Sequence, residues 1–448
     1  MLERILELLE EKNLAVLRQE ILAMNEVDIA EVLDNLPRNR AVEVFRILPK
    51  TIQWAVFSYV DYERQEIIIR SMRDAEITEL MSDMFDDDAA DFLEEMPAEI
   101  VKRVLQACPK EDREKINRIM CFRPKTGGAI MTSEFVDFVE NTSVGKALSE
   151  IRKIALDKET VYNIYVLNIN RRLMGKVAMS TLLTNKDDVL LKDIMTTGAV
   201  AATTADDQES IANTMKKYDL LSLPIVDSEN RLVGIVTIDD ALDILTQEAT
   251  EDIQIMAAVL PSDKPYLKTG VFSLAKNRMP WLALLMLISI FTATVIEARE
   301  EMLTAIVVLV ALMPKMIDTA GTAGSQSAAL VIRGMAIKEV ERRDALRIAF
   351  KEIRVGLICG AILAVISVVP VLIVHDFEAP FSLGLIWLVI GLSIITNVAL
   401  ANILGGLLPI IASRLKIDPA VMSAPVITTL ADIGGLMIYF TYAMWILF

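Results

Sequence analysis

Histidine and cysteine are nearly absent from this chain. Its 448 residues hold one histidine, His375, and three cysteines, Cys108, Cys121 and Cys359. No two of them stand at metal-ligand spacing, which argues against a soft-metal centre and against a disulfide-stapled scaffold. There is no GxxxxGK phosphate loop ending in Ser or Thr, so hydrolytic pumping is disfavoured. No nucleophile and base are placed as an enzyme would need them. The N-terminus, MLERILELLEEKN, is charged and amphipathic. It lacks the apolar core of a signal peptide, and the first half is therefore expected in the cytoplasm.

Basic residues are scarce in the first part. Residues 1–265 carry 49 Asp and Glu against 31 Lys and Arg, whereas the rest carries 12 against 14. So acidic a segment is a poor partner for nucleic acid, because phosphate binding needs a basic surface. It is suited to binding cations. Apolar residues make up 53% of the chain, and mean hydropathy is positive, at +0.43. These values point to a membrane protein. The length leaves room for roughly two to four domains.

Residues 1–125 read as successive helices that repeat. An offset of 60 aligns Asp28, Ala30, Leu33, Pro37, Val44 and Pro49 with Asp88, Ala90, Leu93, Pro97, Val104 and Pro109. The prolines fall where helices should stop or begin. Such a period predicts stacked helical hairpins, a short α-solenoid. Residues 126–248 change character. Short β-branched runs (Ile164–Leu167, Leu223–Val226, Gly234–Ile238) alternate with helical stretches. This segment repeats too: IMT at Ile130 recurs at Ile194, and Arg171–Leu183 matches Asn230–Leu242. Two tandem β-α-β-β-α copies resemble a pair of CBS (cystathionine-β-synthase-type) domains, regulatory modules that often bind adenosine nucleotides. The second copy keeps the Thr-x-x-Asp ribose signature of that family as Thr237 and Asp240. The first has Ala178 and Thr181 there. Residues 240–260 read as one charged helix, broken by Pro261 and Pro265, and residues 249–275 are assigned as a connector.

Residues 276–448 read as five spans, about 279–296, 302–320, 353–374, 382–411 and 422–447, each long enough to cross a bilayer. Basic and non-basic loops alternate. Lys268, Lys276 and Arg278 precede the first span, and 297–301 is acidic. Seven basic residues lie in 332–354, none in 375–380, and Arg414 and Lys416 precede the last span. By the positive-inside rule the N-terminal domains lie inside and the C-terminus outside. The expected fold is a multidomain membrane protein: a helical-repeat N domain, α/β tandem CBS domains and an all-α transmembrane domain.

Asp432 sits within the last span, and no Lys or Arg occurs from Ile417 onward. A charge at mid-bilayer costs about 2.5–3.5 kcal/mol on insertion scales. It could pair with Lys315, carry protons in a secondary transporter, or face a permeating cation. The polar residues of the spans (Thr396, Asn397, Asn402, the Gly, Ser and Thr of 321–327, Asp418) offer oxygen ligands, which suit Mg²⁺, Ca²⁺ or Mn²⁺. Pro314, Pro409 and Pro425 are expected to free backbone carbonyls. One carboxylate is weak for a cation, but two copies on a homodimer axis would focus a larger field. A hydrated Mg²⁺ could then be held through its outer shell.

Helical repeats, a CBS pair, a charged connector and five spans, in this order, resemble the MgtE family of magnesium transporters over essentially the whole chain. The motifs are DDAAD at Asp87, EATED at Glu248, GTAGSQS at Gly321, and DPA followed by P-x-x-T-x-x-x-D from Asp418 to Asp432. The resemblance implies a homodimeric, Mg²⁺-selective channel in the plasma membrane of the bacterial inner-membrane type, shut by cytosolic Mg²⁺. It places Asp432, Thr428, Ala424 and Asp418 at the pore. It assigns Mg²⁺ sensing to Asp88, Asp91 and Glu95, to Asp227, Asp240 and Asp243, and to Glu248, Glu251 and Asp252 on the connector, the plug helix of the family. Adenosine nucleotide, as ATP, is implied at Thr237 and Asp240. The chain departs from the family at Thr322 and Ala424, where Asn, or Asn and Gly, are common. The alternatives are a proton-coupled divalent-cation transporter and a non-transporting CBS sensor.

Overall fold

A computed structural model describes residues 2–447 apart from 12, 263–265, 268, 306, 370–381 and 423. The chain divides into two compact units, Met1–Thr246 and Gln247–Phe448.

The first unit begins with ten helices: α1 Leu2–Glu10, α2 Leu14–Ile21, α3 Glu26–Asn35, α4 Arg38–Ile47, α5 Lys50–Tyr59, α6 Tyr62–Ser71, α7 Asp74–Asp83, α8 Asp86–Glu94, α9 Ala98–Ala107 and α10 Lys110–Met120. Pro37, Pro49, Pro97 and Pro109 are the N-cap residues of α4, α5, α9 and α10. Proline supplies no N–H to a preceding turn and forces the residue before it into extended backbone, so the preceding helix ends one residue before that residue at Pro37, Pro49 and Pro109 and two before it at Pro97. The aligned residues Ala30, Leu33 and Val44, and Ala90, Leu93 and Val104, are all buried. Helices pack on their second neighbours: α3 on α5, α4 on α6, α5 on α7, α7 on α9 and α8 on α10. This is the stacking of a solenoid. Phe57 ties the stack together, with ring centroids 6.0 Å from Phe45 and 5.1 Å from Phe92.

Two α/β repeats follow. The first comprises β1 Asp137–Val139, α11 Val144–Ile154, β2 Asn163–Leu167, β3 Leu173–Ala178, α12 Met179–Thr184, α13 Leu191–Ile194 and β4 Thr196–Thr197. Its sheet runs β1-β2-β3-β4, with β1 and β2 parallel and the other pairs antiparallel. The second comprises β5 Ala202–Thr203, α14 Gln208–Tyr218, β6 Ser222–Val226, β7 Leu232–Thr237 and the start of α15 Ile238–Met256. Its sheet, β5-β6-β7, has the same parallel-then-antiparallel order. The repeat extends to the backbone of the hairpin turns. Arg171 and Asn230 both take positive φ, 61° and 62°. Asn168 and Asp227 each accept two backbone N–H bonds from the residues two and four ahead. The copies meet where Tyr165 Oη lies 2.8 Å from Ser222 Oγ and where Phe135, Leu167, Leu232 and Ile235 form a shared core.

The connector helix α15 is continuous through residue 248 and stops at Met256, five residues before Pro261. The turn after it, with Ala258 at φ 55°, ends the helix rather than the prolines.

The second unit contains α16 Val271–Glu297, α17 Glu300–Ala305, α18 Val307–Ala336, α19 Ala345–Ile366, α20 Leu383–Arg414 and α21 Ala424–Leu447. Among the described residues, α16, residues 384–414 of α20, and α21 are long and apolar enough to cross a bilayer. None of α16 is buried, and its residues 279–296 carry no charge, as a lipid-facing stretch requires. It begins eight residues before the expected span and holds Pro280 in its interior. Helix α18 carries the GTAGSQS stretch inside it. Helix α19 begins eight residues before the third expected span, and 370–374 of that span, like His375 and the loop 375–380, lie outside the described residues. Pro314 and Pro409 are interior to α18 and α20, where each leaves the carbonyl four residues earlier without its helical donor. Pro425 is a correction: it stands in the first turn of α21, where no N–H is needed, and its carbonyl accepts from Thr428 and Thr429.

Small residues bring α18, α19, α20 and α21 together. A Cβ at Gly405 would lie 2.1 Å from the Gly324 carbonyl oxygen, so α18 and α20 meet backbone to backbone. Cross-helix hydrogen bonds hold the bundle: Ser327 Oγ to Asn402 O, Asn397 Nδ2 to Gly435 O, and Tyr439 Oη to Leu309 O.

Candidate ion sites

In the first unit, α8 of the solenoid faces the CBS segment. A partly compensated patch fastens them. Ser133 Oγ donates to Asp86 Oδ2, and the Asp86 backbone N–H donates to Glu134 Oε2 at 3.2 Å. Lys115 Nζ lies 3.2 Å from Glu134 and 3.8 Å from Asp86.

Beside it lies a patch with no such compensation. Asp87, Asp88 and Asp91 of α8, Glu159 before β2, and Asp239 and Asp240 at the start of α15 act on one another electrostatically. Among the described residues none of the six has an ion-pair partner. Asp88 accepts from Ser58 Oγ at 3.1 Å, and Asp240 from Thr237 Oγ1 at 2.5 Å. Asp87 Oδ1 and Glu159 Oε2 are sealed from solvent without a hydrogen-bond partner. Burial pushes Glu159 up to about 8, with Asp240 and Asp88 adding to it. Burial raises Asp240 to about 6, against the lowering effect of the Thr237 bond. Asp91 still reaches solvent, yet crowding by the protein and then Asp240 and Asp88 push it up to about 7. Asp87 is raised well above the usual carboxylate range by burial, then by Asp240 and Asp88.

Of the sensing residues expected from sequence, Asp88, Asp91 and Asp240 therefore share one patch. Asp243 belongs to its edge: Tyr59 is raised by partial burial, then by Asp88, Asp239 and Asp243. Glu95, the C-cap of α8, adds to the field on Asp91. Asp227 is placed differently, with Oδ1 holding the β6–β7 turn as Asn168 holds its counterpart. Asp87, Asp239 and Glu159 are the residues that the sequence reading missed. The first two stand in acidic runs, DDD and DD, which are a visible signal. Glu159 carries none, because its place depends on a loop brought to α8 by the tertiary fold. Thr237 and Asp240, the ribose signature, are bonded to each other and form part of the same patch.

Among the described residues, no three Asp, Glu, His or Cys side chains converge closely enough to hold one metal ion directly. A cation here would keep part of its water shell, as Mg²⁺ prefers. The two orphaned, sealed carboxylate oxygens fit such an ion, because unpaired charge in a shielded site is costly until a counter-charge arrives.

In the second unit, Asp252 near the end of α15 is raised by burial, then by Asp418, Glu248 and Glu251. Asp418 caps the turn before α21 through the Ala420 N–H at 2.8 Å. Met256 packs on Ala328, Ile332 and Ile427, so the end of the connector seats against α18 and α21. Ala424 opens α21. Thr428 lies in its second turn, where its methyl group would be 3.0 Å from a Cβ at Gly321. Asp432, one turn on, is half-buried and has no hydrogen bond or ion pair among the described residues. The Lys315 side chain forms none either, which removes a Lys315–Asp432 pair from the described structure. Asn397 turns its amide to Gly435.

Comparison with known proteins agrees with this layout. Residues 313–442 match the family model described as a divalent cation transporter, 24–125 the MgtE intracellular N domain, and 191–247 the CBS domain. The magnesium transporter MgtE of Thermus thermophilus is 33% identical over 98% of this chain and 97% of its own. That of Bacillus subtilis is 30% identical over 98% and 96%. A solved structure of the cytosolic domain of the Mg²⁺ channel MgtE in complex with ATP is 30% identical, with a TM-score of 0.52, and covers 55% of this chain and 100% of that one. With its apolar helices the chain is a multi-pass membrane protein, and it is not an enzyme. Its order of domains and its similarity along nearly its whole length make it a member of the MgtE family of magnesium transporters.

Proposed function

We propose that the protein is a homodimeric, Mg²⁺-selective channel that admits Mg²⁺ across the plasma membrane and is closed by Mg²⁺ from the cytosol. Residues 1–125 and 126–248 form the sensor, 249–275 the connector and plug, and 276–448 the conducting domain. The alternation of basic loops supports a cytoplasmic N-terminus and an outer C-terminus. A carboxylate with no ion-pair partner among the described residues supports Asp432 as a cation contact, with Asp418, Ala424 and Thr428 on the path leading to it.

The observation that carries gating is the uncompensated patch at Asp87, Asp88, Asp91, Glu159 and Asp240. Without a cation, these charges drive α8 away from the CBS segment. With hydrated Mg²⁺ between them they draw together. Mg²⁺ thus binds the docked form more tightly and shifts the population toward it. Glu248, Glu251 and Asp252, carried on the same helix as Asp240 and Asp243, apply the same logic beside Asp418. Thr237 and Asp240 give the second CBS repeat a ribose contact for ATP that Ala178 and Thr181 withhold from the first.

Planar-bilayer recording of the full-length protein tests the channel reading. Mg²⁺ currents should persist without a pH gradient and fall as Mg²⁺ rises on the cytosolic face. Currents that vanish when the proton gradient is removed would favour a coupled transporter. For the nucleotide, calorimetric titration with ATP should show binding that Thr237→Ala weakens; equal binding by the variant would reject that site.

A further inference from the structure

The packing of α18 on α21 keeps one register over a long stretch. Tyr439 bonds to the Leu309 carbonyl at 3.0 Å. Gly321 faces Thr428, Gly324 faces Ile427, and Ala320 packs with Ala431. As numbers rise along α18, those of the partners on α21 fall, so the two helices are antiparallel. Interpolating between these contacts sets Asp318 level with Asp432.

The helical turn fixes the side. At about 100° per residue, Asp318 lies about 60° round α18 from Gly321, and Asp432 about 40° round α21 from Thr428, both in the same sense of rotation. In an antiparallel pair, equal senses of rotation bring residues to the same flank of the contact. Asp318 is exposed and Asp432 half-buried, which makes that flank the open one. The two carboxylates act on each other electrostatically. Neither has an ion-pair partner among the described residues, although Lys315 is one turn from Asp318.

We propose that Asp318 is a second carboxylate of the conduction site, facing the same permeating cation as Asp432 and setting preference for a divalent over a monovalent ion. The inference rests on the reading of Asp432 as a pore residue. Two like charges on one unpaired flank are unfavourable until a cation lies between them, and a divalent ion offsets both. Each chain then contributes two acids to the site.

The test uses the full-length protein in proteoliposomes with Mg²⁺ influx and Na⁺ competition as readouts. Asp318→Asn should raise the half-saturating Mg²⁺ concentration by at least about tenfold and lower the preference for Mg²⁺ over Na⁺. Asp318→Glu should recover most of both. If the Asn variant does not reach the membrane as a monodisperse protein, Asp318→Ser is measured in its place. Wild-type half-saturation and preference in the neutral variant, with Asp432→Asn inactive, would overturn the role of Asp318 alone. Wild-type flux in Asp432→Asn would overturn the pore reading, and this inference with it.

Discussion

At the scale of single residues, the informative groups are those that lack a partner. Among the described residues Asp432 has neither an ion-pair partner nor a hydrogen-bond donor, so its cost in the bilayer is left to a mobile ion, to water or to a proton. Asp432→Ala should abolish Mg²⁺ flux into proteoliposomes while leaving the size-exclusion profile unchanged; near-wild-type flux would exclude it from the path. Glu159 is the matching case in the acidic patch beside α8. Its sealed oxygen has no donor, and its neighbours are acids. Glu159→Gln should increase protease protection of the α8 segment without Mg²⁺ and shrink the further protection that Mg²⁺ confers. An unchanged Mg²⁺ response would remove Glu159 from the patch. Asp432 stands out in sequence because charge in an apolar run is visible there. Glu159 does not, since a charged loop residue looks the same whether it faces water or five other carboxylates.

Elements show where local chemistry decides and where packing does. Prolines 37, 49, 97 and 109 place helix boundaries by covalent geometry, and the expected boundaries agree with the structure at all four. The connector does not follow that rule, because its helix ends at a left-handed turn before any proline. Nor do the starts of α16 and α19 follow hydropathy: helices continue past the apolar run into charged turns, since backbone hydrogen bonding does not stop at the bilayer edge. Helix α15 carries acids of both patches, so replacing Glu248, Glu251 and Asp252 together by Ala should shift closure to higher Mg²⁺, measured as the half-blocking concentration in bilayer recordings. Where α18 and α20 touch, Gly405→Ala must push two backbones apart. A destabilisation of about 1–3 kcal/mol, typical of overpacking, is expected, seen as a lower Tm in detergent; an unchanged Tm would show that the contact gives way freely.

Over the whole molecule, the separation of charge sets the response to pH. The raised carboxyls of the acidic patch beside α8 bind protons more readily when docked than when apart. Docking without divalent ions is therefore fully favoured below the ordinary carboxylate range, near pH 4, and is lost as pH rises through about 6 for Asp240 to about 8 for Glu159. Hydrogen exchange of α8 in the full-length protein should be slow at pH 5 and fast, after correction for intrinsic rates, at pH 8. Millimolar Mg²⁺ should restore protection at pH 8. Protection that is independent of pH in the absence of Mg²⁺ would show that the patch does not control docking.

The order of domains, the two internal repeats and the absence of Lys and Arg around Asp432 in the last span are legible along the chain. Those properties follow from composition, period and covalent geometry, which act along the chain. The tertiary structure alone decided which acids share a field, that Asp227 closes a turn, and that Asp318 is level with Asp432. Electrostatic energy depends on distance through space, and distances between remote segments exist only once helices and loops have packed.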